Sequence, residues 1–416
     1  MNKGRMICTV GLSFVFLTLA LSFPVKQTGA FSPEPLQEPQ QVSTTISVTY
    51  VGDWDVEAQS AMEYAASIWE TLVYSPVPIE IEASWGSSFM DTPADAFVVY
   101  VRSSALPNPN AYYPEALSNA LQGKDSTGNA DINIRFNSNF NNWYFGTDGQ
   151  APGSDYDFVT VALKYIGRGL GLQSGMSLCG PTDGCWGTDS NRVYPLIYDT
   201  LVVNGSGQHL TDTSIFPNPS PALKNELTSN NIYFAGAKAI VANGGVMPKL
   251  YAPESWESIK YPLLLDDNAF PAGSVNALMS HTLETGEVIH NPGPLAHAVL
   301  FDLGWTSVPQ APVLQPLPSQ LISVNTSRMN AIDLWNYVDD PDTLTADLTF
   351  RIVSVSPTQL GVTLDNGRYI SISPETNWIG TGQVTVEVED TTNLVDSQSF
   401  DVIVEARIFL PMTLKP

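Results

Sequence analysis

The chain has 416 residues and carries 42 acidic against 18 basic side chains, a net charge of −24. So negative a surface repels nucleic acid and anionic membranes, which sets nucleic-acid binding aside, and it suits a soluble extracellular protein or one that binds calcium through carboxylates. The length is too great for one ordinary core and predicts two or three folding units.

Residues 1–30 read as an export signal: Lys3 and Arg5 precede an apolar run from Met6 to Phe23, and the small residues Thr28, Gly29 and Ala30 supply a cleavage site. An uncleaved membrane anchor is the alternative, because the run is about as long as a short spanning helix; no later run approaches that length. Cleavage near Phe31 removes Lys3, Arg5 and Lys26 and leaves 15 basic against 42 acidic residues, a net charge of −27. Residues 31–43 are rich in Pro and Gln and form a flexible lead-in.

A domain is expected over residues 44–306. Ile46, Val48 and Tyr50 alternate with polar neighbours as a half-buried strand does, and Asp53 or Asp55 can cap the next segment. Ala61, Ala65, Ile68, Trp69 and Leu72 recur at helical spacing between Val56 and Tyr74, and Pro76 and Pro78 stop that helix. Strands are expected from Ile79 to Trp85, Ala96 to Val101 and Asp131 to Phe136, then a central helix from about Asp155 to Leu170. This order is that of an α+β domain with helices on one face of a mixed sheet. Residues 175–271 are loop-rich, with short helices expected at Pro221–Ser229 and Ala235–Asn243, and a last helix starts at Leu295.

A Pro-rich linker is expected over 307–318, then a β-sandwich over 319–406 whose regularly spaced strands include Leu348–Val353, Tyr369–Ile372, Gln383–Val388 and Ser399–Val404. The tail 407–416 is too short to span a membrane and reads as an edge strand or a sorting tag.

The central helix carries the chemistry. A helical zinc-protease motif needs His, Glu and His at i, i+1 and i+4, because one turn brings both imidazoles to one face and sets the carboxylate beside the metal-bound water. Here the segment reads Val161-Ala-Leu-Lys-Tyr-Ile-Gly-Arg-Gly-Leu-Gly-Leu. It resembles the metzincin-type helix of leishmanolysin-like bacterial proteins, which carries His-Glu-x-Gly-His-Gly-Leu-Gly. The resemblance covers roughly residues 44–305 and implies a metzincin-like protease domain followed by the all-β sandwich.

On that resemblance Lys164 and Arg168 stand at the first two zinc-ligand positions, Tyr165 at the general base and Leu264 at the third ligand, while Gly171 keeps the turn glycine and Met279 the methionine turn. An ammonium and a guanidinium offer no lone pair and repel a dication, so the expectation is a secreted pseudoenzyme without zinc or catalytic residues. The two cations could instead receive a carboxylate, from a peptide C-terminus or from this chain, which makes an extracellular protein or peptide the expected partner.

Two rival readings remain. An active zinc endopeptidase would need a displaced site built from His281, His290 and nearby carboxylates; His209 and His297 complete the histidines, and none pairs at i and i+4. A cell-surface adhesion protein would rely on the sandwich alone. Two mature thiols, Cys179 and Cys185, at a six-residue offset point to one local disulfide, with a Cys-based zinc site as the competing reading. The sandwich resembles cadherin-like or Ig-like repeats of bacterial surface proteins. Its crowded carboxylates Asp339, Asp340 and Asp342, with Glu389 and Asp390 further on, make calcium possible, the alternative being a plain solvated turn.

Overall fold

A computed structural model describes residues 43–87, 92–187, 192–255 and 263–406. The expected signal, nearly all of the lead-in and the tail 407–416 lie outside the described residues. Two separate hydrophobic cores organise the rest, one built from residues between Ile46 and Trp305 and one from residues between Leu314 and Val404.

The first unit begins with β1 (Ile46–Val51), α1 (Val56–Glu70), β2 (Ile79–Gly86) and β3 (Ala94–Val98). It continues with α2 (Glu115–Gln122), β4 (Ile132–Asn137) and α3 (Phe158–Leu170). The sheet runs β1-β2-β4-β3, with β1, β2 and β4 parallel and β3 antiparallel to β4. Ile79, Ile81, Ala83 and Ile132, Ile134, Phe136 alternate into the core, as the period of two requires. The mixed α/β order expected from sequence is therefore present.

Details differ where distant contacts decide. Helix α1 ends at Glu70 rather than near Tyr74, because the Val73 carbonyl accepts from the Thr44 hydroxyl and the Tyr74 amide donates to Thr306. Asp55 precedes the helix without a side-chain cap bond. The expected strand 96–101 is cut at Val99, whose carbonyl accepts the Glu115 amide; Tyr100–Val101 pairs instead with Tyr113–Pro114. Helix α2 is absent from the sequence expectation. It closes on Gly123 in the left-handed region (φ 63°) and buries Glu115 through Asn119. Asn119 donates to the Asp131 carboxylate at 2.8 Å, tying the helix to the start of β4.

Helix α3 is buried at all thirteen positions. It starts at Phe158 because the Asp157 carboxylate caps it, accepting the Thr160 amide at 2.8 Å and the Thr160 hydroxyl at 2.6 Å. Gly169 lets the helix approach the sheet, since a Cβ there would sit 2.4 Å from the Ile132 side chain. Two buried indoles grip its carbonyls: Trp69 donates to Leu163 at 3.1 Å and Trp305 to Leu170 at 2.9 Å.

After α3 come a hairpin of β5 (Ser177–Leu178) and β6 (Gly184–Cys185), then α4 (Pro221–Leu227), α5 (Ala237–Ala242) and α6 (Gly293–Leu303). No helix among the described residues is long and apolar enough to cross a membrane.

The C-terminal unit starts earlier than the sequence indicates. β7 (Val313–Leu314) pairs with β10 (Val338–Asp339), and Leu314 and Leu317 are buried, so much of the Pro-rich stretch is core-forming rather than a linker. A four-stranded sheet is ordered β8 (Gln320–Ser323), β15 (Val395–Glu405), β14 (Gly380–Glu389), β11 (Thr349–Ser356). A three-stranded sheet is ordered β9 (Arg328–Asp333), β13 (Tyr369–Ile372), β12 (Val362–Asp365). The alternation seen in 399–404 and 383–388 reflects Phe400, Val402 and Val404 facing the core with Val384, Val386 and Val388.

Because the Trp305 indole N–H satisfies a carbonyl at the C-terminal end of α3, Trp305→Phe leaves that acceptor without its donor and opens a small void where part of the indole was. We expect a loss of about 1–3 kcal/mol in chemical denaturation.

Candidate functional site

Lys164 and Arg168 lie on the buried helix, 4% and 1% exposed. The Lys164 ammonium donates to the Ser280 carbonyl at 2.5 Å and the Thr282 carbonyl at 3.2 Å. Arg168 donates through Nε and Nη2 to the Gln173 amide oxygen at 3.1 and 2.9 Å, and Gln173 passes the contact on to the Tyr100 hydroxyl. The Arg168 guanidinium also lies 5.0 Å from the centre of the Tyr165 ring, which is itself buried. Both cations are thus tied inside the core to oxygens of the chain. Burial pulls the Lys164 ammonium down to about 8, with Arg168 pushing the same way and Glu287 and Asp267 opposing.

Gly171 ends the helix at φ 125°, a conformation that L side chains rarely adopt. The turn Ala277–Met279 packs on α3, with the Met279 sulfur 3.5 Å from where a Gly167 Cβ would stand. Leu264 is drawn to this place: the Leu265 amide donates to the Met279 carbonyl, and Leu264 and Met279 share the lining of an apolar cavity of about 20 Å³ with Leu172 and Leu295.

A zinc ion does not fit this donor set. The four motif positions present an ammonium and a guanidinium already bound to oxygen, a buried phenol and an alkyl chain, none of which is an available nitrogen, sulfur or carboxylate ligand.

The histidines do not assemble a replacement. His290 Nε2 contacts the Asp157 carboxylate at 2.8 Å beside the α3 cap. The His281 ring stacks on Tyr251 at 3.7 Å. His297 meets the Leu72 carbonyl and His209 the Thr200 carbonyl. Among the described residues the metal-competent cluster of three or more groups is Asp340, Asp342 and Asp390, and it includes none of these histidines.

That cluster corrects the expected calcium set. Asp339 lies exposed in β10, paired with Val313, and Asp390 takes its place at the end of β14. The ligand atoms lie within 4.8 Å of one another, inside the ~5 Å that two oxygens on one calcium ion can span. Asp340 Oδ1 accepts the Asp342 and Thr343 amides at 3.0 and 2.7 Å, while its Oδ2 is buried without a hydrogen-bond partner. Asp342 accepts the Gln310 amide at 3.0 Å, and its carboxyl is raised by burial and by the neighbouring Asp340 and Asp390. Asp390, 6% exposed, accepts the Thr392 and Leu394 amides at 2.8 Å each.

Asp390 lies about fifty residues beyond Asp340 and Asp342 in sequence, and the fold brings it to them. Gln173 and the 280–282 carbonyls are likewise invisible to sequence reasoning, since an amide side chain and main-chain oxygens carry no motif. Cys179 and Cys185 stand as free thiols on the β5–β6 hairpin, and the expected disulfide between them is not shown.

Residues 309–403 match the family model described as the bacterial Ig domain, so the C-terminal unit is an Ig-like module. Among solved structures, the chain is similar to the protocadherin gamma B7 extracellular cadherin domains 1–4, at 14% identity over 23% of this chain and 24% of that one, with a TM-score of 0.20. It is also similar to the PKD domain from KIAA 1837 protein, at 21% identity over 26% of this chain and 98% of that one, with a TM-score of 0.19. The human desmocollin-1 ectodomain aligns at 18% identity over 23% of this chain and 20% of that one, with a TM-score of 0.18. The chain spans about a quarter or less of the cadherin structures it matches. No curated protein matches it.

Beside the central helix, Asp199 is fully buried, accepting the Ser174 hydroxyl at 2.5 Å and the Gly175 amide at 3.1 Å; burial pushes its carboxyl up to about 7. A carboxyl raised in the folded state keeps its proton where the unfolded chain has lost it, so stability falls as pH rises from about 4 to about 7. Thermal unfolding across that range should show a loss on the order of 2–4 kcal/mol, and Asp199→Asn should flatten most of the slope, leaving the smaller share of Asp131, raised to about 6.

Proposed function

We propose that residues 44–306 are a metzincin-like domain without catalytic or zinc-binding residues, and that the protein is a secreted or cell-surface pseudoenzyme with a binding or structural role toward an extracellular protein or peptide. The observation that carries this reading is the buried Lys164 ammonium, bound to the Ser280 and Thr282 carbonyls at the position where the first imidazole of a zinc helix would stand. Supporting it are Gly171 at the end of the helix, the Met279 turn packed on the helix, and Leu264 beside that turn. The bacterial Ig module, a kind of domain typical of extracellular proteins, and the negative charge support the location.

Metal analysis tests the reading. The native chain, purified and dialysed, should hold far less than one zinc per molecule and show no chelator-sensitive cleavage of an unfolded protein substrate. The variant Lys164→His/Tyr165→Glu/Arg168→His/Leu264→His should gain zinc. Stoichiometric zinc or chelator-abolished cleavage in the native chain would overturn the proposal.

A second reading, a calcium-stabilised extracellular binding module doing the work of adhesion, is favoured by the buried, unpartnered Asp340 Oδ2 in the carboxylate cluster. Calcium would relieve the repulsion among Asp340, Asp342 and Asp390 by coordinating their oxygens. Millimolar calcium should then raise the unfolding midpoint of the C-terminal unit by several degrees, corresponding to about 2–3 kcal/mol at saturating ion. Asp390→Asn should abolish most of that shift; an equal shift in the variant would sink the assignment.

A further inference from the structure

We propose that Cys179 and Cys185 form a thiol-modification site, which an external disulfide converts into an intrachain bridge across the β5–β6 hairpin. The pairing places Cys185 opposite Ser177 and Gly184 opposite Leu178, and the Cys179 amide donates to Asp183 at 3.1 Å. Ser177 and Cys179 are two residues apart and share a face, so the two cysteines are diagonal neighbours on that face. Cys179 helps to raise the Cys185 thiol, as a near neighbour does. Closure requires the two sulfurs to approach to the ~2.05 Å of a disulfide.

The surroundings assign each thiol a part. Cys179 is exposed and meets a solution reagent first; Cys185 is buried. The strand bearing Cys185 is pinned, because Gly184 exchanges amide and carbonyl bonds with Ser220 at 3.0 and 3.1 Å at the start of α4. Arg192 points Nη1 at the Cys185 sulfur, 2.5 Å away, and the Ser177 hydroxyl lies 3.5 Å from it. A guanidinium so placed stabilises a thiolate when it forms. Against that, burial pushes the Cys185 thiol up to about 11.

The chemistry balances as two exchanges. Cys179 loses its proton and its thiolate attacks the external disulfide, forming a mixed disulfide and releasing one thiolate. Cys185 then loses its proton to solvent, and its sulfur attacks the Cys179 sulfur, expelling the second thiolate. Both expelled thiolates take up protons. The two cysteines are oxidised by two electrons and the external disulfide is reduced to two thiols. The second step waits on Cys185 ionisation, so it accelerates with rising pH.

The test uses the full chain, reduced, desalted and exposed to oxidised glutathione, then digested at Asp183 without reductant. The two cysteine peptides should stay joined, lighter by two hydrogens than their sum. Cys185→Ser should stop at a glutathione adduct on Cys179. In Cys179→Ser the buried Cys185 should react about tenfold or more slowly than Cys179 does in the native chain. Separate, individually alkylated peptides after oxidation, a bridge to Cys8 instead, or equal reactivity of the two thiols would each overturn the proposal. The result is independent of whether the helix ever bound zinc.

Discussion

Burying α3 on every side is the constraint that shapes most of the N-terminal unit. A helix with no solvent face must find internal partners for everything polar it carries, and this one carries two cations. An unpaired charge at such depth is prohibitive, so oxygens have to be supplied. The chain supplies them from its own main chain at Ser280 and Thr282 and from Gln173. The Lys164 tie spans more than a hundred residues of sequence and pins the segment after Met279 beneath the helix. The packing around it is equally committed, since Gly167 and Gly169 leave no room for a β-carbon without displacing Trp69 or Ile132.

The legible parts of the sequence are those ruled by local periodicity. Alternation in 46–50, 79–85 and 131–136 and helical spacing after Val56 place β1, β2, β4 and the start of α1 nearly to the residue. In the C-terminal unit, short strands at regular spacing indicate a sandwich, and the bacterial Ig match over 309–403 agrees. The failures share a cause. Helix α2 has only eight residues, and its buried face includes Glu115, Ser118 and Asn119, so its apolar pattern is broken by polar groups that hydrogen bond inside. Proline content suggests a linker where Leu314 and Leu317 in fact enter the core.

For α3 the sequence gives a correct helix and a misleading environment. Lys164 and Arg168 lie one turn apart, which ordinarily marks a face turned toward water or a charged ligand. Nothing local announces that carbonyls from residues 280–282 will close over that face. The glycines do announce close packing, but a glycine says that something approaches without saying what. The one-turn spacing of the two cations is therefore readable, and the ties they make inside the core are not.

The two units also treat charge in opposite ways. In the N-terminal unit each buried cation of α3 donates to oxygens of the chain. In the Ig-like module three carboxylates converge with no described basic side chain among their hydrogen-bond donors, and one oxygen of Asp340 is buried without any partner. Backbone amides from Gln310, Thr343, Thr392 and Leu394 hold these carboxylates in place and leave their mutual repulsion unbalanced. Holding like charges together has a cost that a packed core must carry unless a proton or a cation offsets it. The raised carboxyl of Asp342 is the proton-linked form of that relief, and a divalent ion is the other. By this reasoning the unrelieved charge sits where the turns after β10 and β14 meet, while Lys164 and Arg168 fasten α3 inside the core.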